Sequence, residues 1–549
     1  ALPGPPSPAV RRRGRRHPAM PPFTAVRAAA LALLALHGVV GDPLSKKAPF
    51  KGLDPVAVWR HFNALCQLPR CSGQEGAVVE YVRSVAESQG AEWIMDSVGN
   101  LVVLRPASDS ADTVTVHTHL DMACARGSDG AESAEPVQVT LREDGWAVAE
   151  KSRMGADSGV GIAVALALLE EPADAPLPPL ELLFTVRGQS DRLGARTLNA
   201  SLLSGRYLLN LDAAEHGVLF VGAAARSRMK IHLPVSYQPL REGTRAFALH
   251  VLGLHGGHSG SQAHLGGANA LVAAARAAAA LREKLAGRLQ VVGIEGGAKE
   301  DAIPMEAAAT VAISLADLHA AREAVAEIER ELHAEFGRTD PHLHLRLEQP
   351  EQAVDHALSE ESEARLLDLL LLLPSGVVKN SAEIPGSLET SNNIARVRWA
   401  GPGSVEVLCL ARSTLPSALI ELRSRISRVA RRLIGTASVG ESFPGWAPNR
   451  TSPLLHLAQD AFRRVEGKAA ALEAVHSSLE VAAILEKLPH IDAVSFGPDV
   501  NGAKSPGECV RIDSVEKTWD LTKKMLARLA SAPLGGDAGD VCLDEPVDL

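Results

Sequence analysis

The 549-residue chain is 46% hydrophobic and 22% charged, which are ordinary globular values in a chain longer than one hydrophobic core usually serves. Its formal net charge of -9 leaves no electrostatic footprint for nucleic acid, and aromatic residues at only 3% favour helices over an all-β design. The six cysteines, Cys66, Cys71, Cys124, Cys409, Cys509 and Cys542, are scattered without the spacing of a structural zinc site or the density of a disulfide scaffold, so they do not decide the redox compartment.

Residues 1–22 are rich in Pro and Arg, with Arg11, Arg12, Arg13, Arg15 and Arg16 nearly contiguous, and cannot bury a core. From Met20 the pattern changes: Arg27 precedes the apolar run Ala28 to Leu36, and His37-Gly-Val-Val-Gly41 follows before Asp42. This resembles a secretory signal peptide starting at Met20 and cleaved near Gly41; a mitochondrial transit peptide and a cytoplasmic protein are the alternatives. The apolar run is too short for a membrane span. Sequons at Asn199 and Asn449 are compatible with secretion.

Leu53 to Gly90 carries apolar residues at helical spacing, predicting two helices broken at Pro69 to Gly73. Strands are expected at Leu101–Leu104 and Val114–His117, then an Ala/Leu helix ending at Leu169 and strands at Leu180–Val186 and Tyr207–Leu211. This β-α-β order predicts an open α/β sheet with at least four strands running the same way. After Gly222 the pattern shifts to strands at Ala246–Leu254 and Ala308–Ile313 and helices at Ala268–Leu285 and Leu318–Phe336. A similar order returns in Val405–Leu410 and Ser417–Leu433, suggesting two copies of one unit. From Phe443 the first pattern resumes. The expected division is a leader over 1–52, an α/β domain over 53–225 and 443–531, an inserted α+β domain of two tandem units over 226–442, and an acidic tail over 532–549.

The strand ends carry the chemistry. V-T-V-H-T-H-L-D-M, Val114 to Met122, runs a buried strand into two histidines and an aspartate, and the two-residue spacing points His119 and Asp121 to one face of an extended segment. One can bind a metal while the other steadies it. Asp157, the turn Arg187-Gly188-Gln189-Ser190 and Asp212 stand at the other strand ends and loops.

H-T-H-L-D-M, M-G-A-D-S-G-V-G (Met154 to Gly161), L-L-N-L-D, G-G-H-S-G (Gly256 to Gly260), P-S-G-V-V-K-N-S, L-E-T-S-N-N, F-P-G-W and F-G-P-D-V-N-G (Phe496 to Gly502) occur in this order. Together, over roughly residues 53 to 530, they resemble the aminoacyl-histidine dipeptidases, or cytosol non-specific dipeptidases, within the co-catalytic zinc aminoacylases and carboxypeptidases. The resemblance implies a two-zinc hydrolase, its catalytic-type domain over 53–225 and 443–531 carrying 226–442 as an inserted lid and dimerisation domain, assembled as a homodimer, in which a glutamate general base activates a metal-bound water. It assigns His119, Asp157 and Asp212 to the first zinc and Asp121 to orienting His119.

Where the family has Glu-Glu, this chain has Gly188-Gln189, which removes the general base and makes a charged ligand a neutral amide. Where the family has His in the loop G-P-H-S-P, this chain has Lys504. The retained set accommodates one zinc and not a second, and the Lys504 ammonium is expected to replace the missing charge. His258 matches a lid histidine that stabilises the oxyanion in a partner's site, and Arg412 is placed to hold a peptide carboxylate. Asp301 replaces a family asparagine and would repel that carboxylate. Two readings follow: a dipeptidase-like pseudoenzyme that binds a dipeptide-like molecule, and a slow single-zinc dipeptidase using a displaced base such as Asp191.

Overall fold

The computed structural model describes residues 49–107, 111–126, 132–133, 136–150, 152–350, 353–531 and 534. The signal-like segment, most of the expected leader and nearly all of the expected tail lie outside them.

Two mixed α/β bodies are built on two sheets. The first has eight strands in the order Glu92–Met95, Leu101–Arg105, Leu180–Thr185, Val114–His119, Tyr207–Asn210, Asp492–Ser495, Val218–Ala223, Ala471–Val475. The strands at 180–185, 114–119, 207–210 and 492–495 run parallel. The strand at Leu101 runs antiparallel to Leu180–Thr185, so the fourth parallel strand is the distant Asp492–Ser495.

Alternation along the strands sorts their side chains onto two faces. Val114, Val116, Leu182, Phe184 and Leu209 join a core with the helices Val56–Leu65, Gly76–Ser88, Ala156–Leu169, Pro453–Glu466 and Ile512–Ser531. Val102, Leu183, Leu208 and Ala493 face the other way, against the helix Glu480–Lys487. The helix Ala156–Leu169 is apolar and buried on all sides, as a helix enclosed between a sheet and neighbouring helices should be.

The second sheet is antiparallel and runs His344–Glu348, Thr244–Leu252, Ala307–Ser314, Gln290–Gly296, Leu388–Trp399, Ser404–Ser413, Ala225–Pro234, Thr436–Phe443. Each half follows the order strand, helix, strand, strand, helix, strand, the second with an added strand, Gly376–Asn380, paired to Leu388–Trp399. The first unit spans Thr244 to Glu348. The second takes its first strand from Ala225–Pro234 and the remainder from Glu360 to Phe443, so the first unit lies inside the second rather than ahead of it. The helices Ala270–Lys284, Leu318–Phe336, Glu360–Leu372 and Pro416–Arg432 pack on this sheet in one continuous core. The bodies join at two adjacent connections, where Ala223 and Trp446 exchange backbone hydrogen bonds of 2.8 Å in both directions. Among the described residues, no helix is long and apolar enough to cross a membrane.

Candidate functional site

The strand Val114–His119 is buried along its whole length, so its C-terminal end is fixed. Its parallel neighbours end at the same edge, which brings His119, the Arg187–Asp191 loop and Asp212 together. The helix Ala156–Leu169 starts there from Gly155 in the left-handed region (φ 64°), a conformation glycine adopts without steric penalty. Asp157 therefore sits in the helix's first turn, where the helix dipole favours a carboxylate. The turn is held on one side by Glu508, whose carboxylate accepts the N–H groups of Met154, Gly155 and Ala156 at 3.1, 3.1 and 2.7 Å. On the other side the buried Arg70 donates to the Gly155 and Met154 carbonyls at 2.5 and 3.3 Å.

His119, Asp157 and Asp212 each bring one ligand atom within 4.8 Å of the others. Two carboxylates flank the His119 ring: Asp212 Oδ1 lies 3.3 Å from Nε2, and Asp121 Oδ1 lies 3.2 Å from Nδ1. The second contact attracts electrostatically without being aligned as a hydrogen bond. Burial opposes a charge on the ring, but Asp212 and Asp121 outweigh it and hold the His119 pKa well above the ordinary value. Burial likewise pushes the Asp121 carboxyl up, but the close His119 ring, the Ser72 hydroxyl and the Gln189 N–H outweigh it and hold it below the usual range.

Asp121 also organises the next loop. Its carboxylate accepts the backbone N–H of Gly188 at 2.6 Å and of Gln189 at 3.0 Å, together with the Ser72 hydroxyl. The loop is thereby drawn onto the histidine. A Cβ on Gly188 would stand 2.5 Å from His119 Cγ and 2.6 Å from its Cβ, so this position has no room for any side chain. Gln189 Nε2 donates to Asp157 Oδ2 at 2.6 Å and packs 3.2 Å from His119 Nε2, setting a neutral amide among the three ligand residues.

This donor set, one imidazole and two carboxylates, fits one zinc ion once His119 gives up its second proton and the Gln189 amide turns. At the two substituted ligand positions, Gln189 brings no charge and Lys504 is exposed. The expectation that the Lys504 ammonium fills the second site is corrected here. Lys504 adopts φ 66° on its loop and, among the described residues, pairs with neither Asp157 nor Asp212. The Gln189 amide, not an ammonium, is what Asp157 meets. Asp191 is engaged within its own loop, its Oδ2 accepting from Arg187 Nη2 at 2.7 Å and its Oδ1 from the Leu193 N–H at 3.2 Å.

His258 and Arg412 come together on the second body. His258 Nδ1 accepts the N–H groups of Gly260 and Ser261 at 3.1 and 3.0 Å, an arrangement that assigns the proton to Nε2 and leaves that N–H as a donor. Burial and then the charge of Arg412 lower its pKa, keeping the ring neutral. Arg412 is 2% exposed and lies beside His258: a Cβ on the intervening Gly260 would stand 2.9 Å from His258 Cε1 and 3.2 Å from Arg412 Cζ.

Several contributors carry little signal in the sequence. Arg70 and Glu508 act through backbone groups remote in the chain. Glu480 is buried beneath the strand ends, accepts from Thr185 Oγ1 at 2.7 Å and is raised to about 7 by burial. Cys71 and Cys124 form a disulfide across 53 residues, tying the Ser72 turn to the segment that follows Asp121.

Residues 242–340 match the family model of the peptidase dimerisation domain. The cytosol non-specific dipeptidase of Escherichia coli (strain K12) is 30% identical over 483 residues, which span 87% of this chain and 98% of that protein. The crystal structure of the aminoacylhistidine dipeptidase from Vibrio alginolyticus superposes with a TM-score of 0.78 at 28% identity, covering 88% of this chain and 98% of its own. The aminopeptidase PepT of Bacillus cereus, with a TM-score of 0.51 at 16% identity over 87% of this chain and 99% of its own, shares the fold alone.

Proposed function

Because this chain belongs to the cytosol non-specific dipeptidase family, we propose that it is a dipeptide-binding homologue in which peptide hydrolysis is impaired. The observation that carries this reading is the crowding at Gly188, where a Cβ would fall 2.5 Å from His119 Cγ. A general base must come within hydrogen-bonding reach of the proton it removes. The expected base position is sterically closed, Asp191 is turned to Arg187, and Glu480 lies buried on Thr185.

His119, Asp157 and Asp212 would hold a single zinc ion, which when bound polarises a carbonyl and lowers the pKa of water. Asp121 orients His119 and pins the Gly188 loop. The His258 Nε2–H is a donor for a carbonyl or an oxyanion, and Arg412 a two-pronged partner for a carboxylate. The close grouping of the three zinc-type ligands favours a second reading, a slow single-zinc dipeptidase. The match to the dimerisation domain supports a homodimer. The Cys71–Cys124 bond supports an oxidising compartment for this chain, as the reading of a segment exported from Met20 requires.

The test is dipeptide hydrolysis by zinc-loaded protein, with zinc per chain measured on the same sample. Loss of a general base lowers rates by about 10²–10⁴-fold, and one zinc per chain is expected. A kcat/KM above about 10⁴ M⁻¹s⁻¹, within the ordinary enzyme range, with two ions bound would overturn the reading.

A further inference from the structure

Across the second sheet one cross-strand row reads Ser391, Arg412, Arg226, Phe443. Residues directly opposite one another in antiparallel strands point to the same face, so Arg412 and Arg226 stand side by side. Like charges in such a pair destabilise a sheet. Arg192, from the loop that follows Gln189, lays its guanidinium 5.5 Å from the Phe443 ring centroid at the end of this row. Three arginines therefore gather where the second body meets the strand-end site.

Their charge is poorly answered. Among the described residues Arg412 makes no ion pair, although it is 2% exposed and its Nε is buried without a partner. Arg192 also has no ion pair among them. Arg226 has Glu441 at 3.9 Å, and that carboxylate is shared with Arg196 at 3.0 Å and Arg228 at 3.6 Å. Glu300 is taken by Arg228 at 2.5 Å, and Asp301, the foremost acid acting on Arg412, forms no ion pair with it among the described residues. Ser391 hydrogen-bonds His476 at 2.7 Å, and burial followed by the charge of Arg412 lowers that histidine to about 4, so it brings no charge of its own. A buried guanidinium without a counter-ion is unfavourable. Arg412 is such a group, and the half-buried Arg226 beside it shares its one acid with two other arginines, so an anion that spans both would answer their charge.

Neighbouring strands set directly opposite residues about 5 Å apart, and an aspartyl or glutamyl residue carries its two carboxylates at a separation of the same order. We propose that this row of arginines takes a small ligand with two carboxylates, one held by Arg412 and the other by Arg226 with Arg192. On the dipeptide reading above, on which the peptide part of this inference rests, the ligand is a dipeptide ending in aspartate or glutamate.

Titration calorimetry of the zinc-loaded full chain with Ala-Glu, Ala-Gln and glutarate tests this. Ala-Glu binds about tenfold tighter than Ala-Gln, the difference expected of one added charge-assisted hydrogen-bonded pair, and glutarate binds measurably. Arg226→Met abolishes the preference for Ala-Glu, while its melting temperature without ligand stays level or rises because a like-charge pair is gone. Arg192→Met weakens the preference and serves if the first variant does not fold. Equal affinity for Ala-Glu and Ala-Gln overturns the two-carboxylate inference and leaves the dipeptide reading standing. Binding of glutarate by a chain that takes neither dipeptide supports the two-carboxylate site and overturns the dipeptide reading. No binding of any of the three overturns both.

Discussion

Replacing Gly188 by alanine adds one methyl group to the most crowded point of the site. Its Cβ would stand 2.5, 2.6 and 2.8 Å from His119 Cγ, Cβ and Cδ2, where ordinary contact begins at 3.4 Å. His119 cannot retreat, because it ends a strand buried along its length. The loop must lift instead, against the Gly188 and Gln189 N–H bonds to Asp121 and the Arg187 N–H bond of 2.9 Å to Glu75. Overpacking of this kind costs about 1–3 kcal/mol, and a lost hydrogen bond to a charged group about 1.5–3 kcal/mol. The two responses relieve the same clash, so they do not add in full, and a loss of about 2–4 kcal/mol is expected. Urea unfolding followed by circular dichroism reads this as a lower midpoint of the transition involving the first sheet. A Gly188→Ala protein within about 0.5 kcal/mol of the parent, the range of ordinary surface substitutions, would refute the claim that Asp121 pins the loop onto His119. Restoring hydrolysis with Gly188→Glu, Gln189→Glu and Lys504→His together demands the same loop movement, so that triple variant tests displacement of the loop as much as replacement of the base.

Gln189→Glu sets a carboxylate 2.6 Å from Asp157. With chelator present it melts lower than the parent, and added zinc raises its melting temperature by more than it raises the parent's; equal zinc-induced shifts in scanning fluorimetry would remove Gln189 from the ion's surroundings. Burial raises Glu480 to about 7 from 4.5, so the folded chain binds the extra proton between those values and stability falls as pH rises through them, by about 3 kcal/mol. In Glu480→Gln that slope is absent, and its stability relative to the parent climbs from pH 4.5 to 7 and then levels off; a difference independent of pH would contradict the assignment. Cys71→Ser opens a 53-residue loop and lowers stability by about 4 kcal/mol on the chain-entropy account, with thiol titration of the unreduced parent expected to show Cys71 and Cys124 unreactive.

Much of the framework was legible because hydrophobic period and turn residues act locally. The two helices before Gly90, the helix ending at Leu169 and the strand carrying His119 all follow from spacing alone, and the ligand residues His119, Asp157 and Asp212 stand at strand or helix ends where polar groups interrupt apolar runs. What escaped depends on three-dimensional registry. The Arg412–Arg226 pair exists only once two strands far apart in sequence are aligned. The closure over Gly188 follows from where Asp121 directs its oxygens, which no composition reveals. Lys504 illustrates the converse: the family resemblance places its ammonium at a ligand position, but the residue is exposed and, among the described residues, pairs with neither Asp157 nor Asp212. The nesting of one strand–helix unit within the other is hidden for a similar reason, since it leaves the local strand and helix pattern unchanged.

The interruption of the first sheet also has a consequence for synthesis on the ribosome. Tyr207–Asn210 and Val218–Ala223 flank Asp492–Ser495, so roughly 270 further residues must be translated before these two strands gain the neighbour between them, a delay of about 15–55 s at ordinary elongation rates. The second body, whose strands lie between residues 225 and 443, can fold within that interval, while the strand Tyr207–Asn210 that leads to Asp212 waits with an unpaired edge of the kind that templates aggregation. A chain cut short after Phe443 would therefore keep a complete second body attached to an open half-sheet, and would be a ready substrate for holding chaperones and proteases.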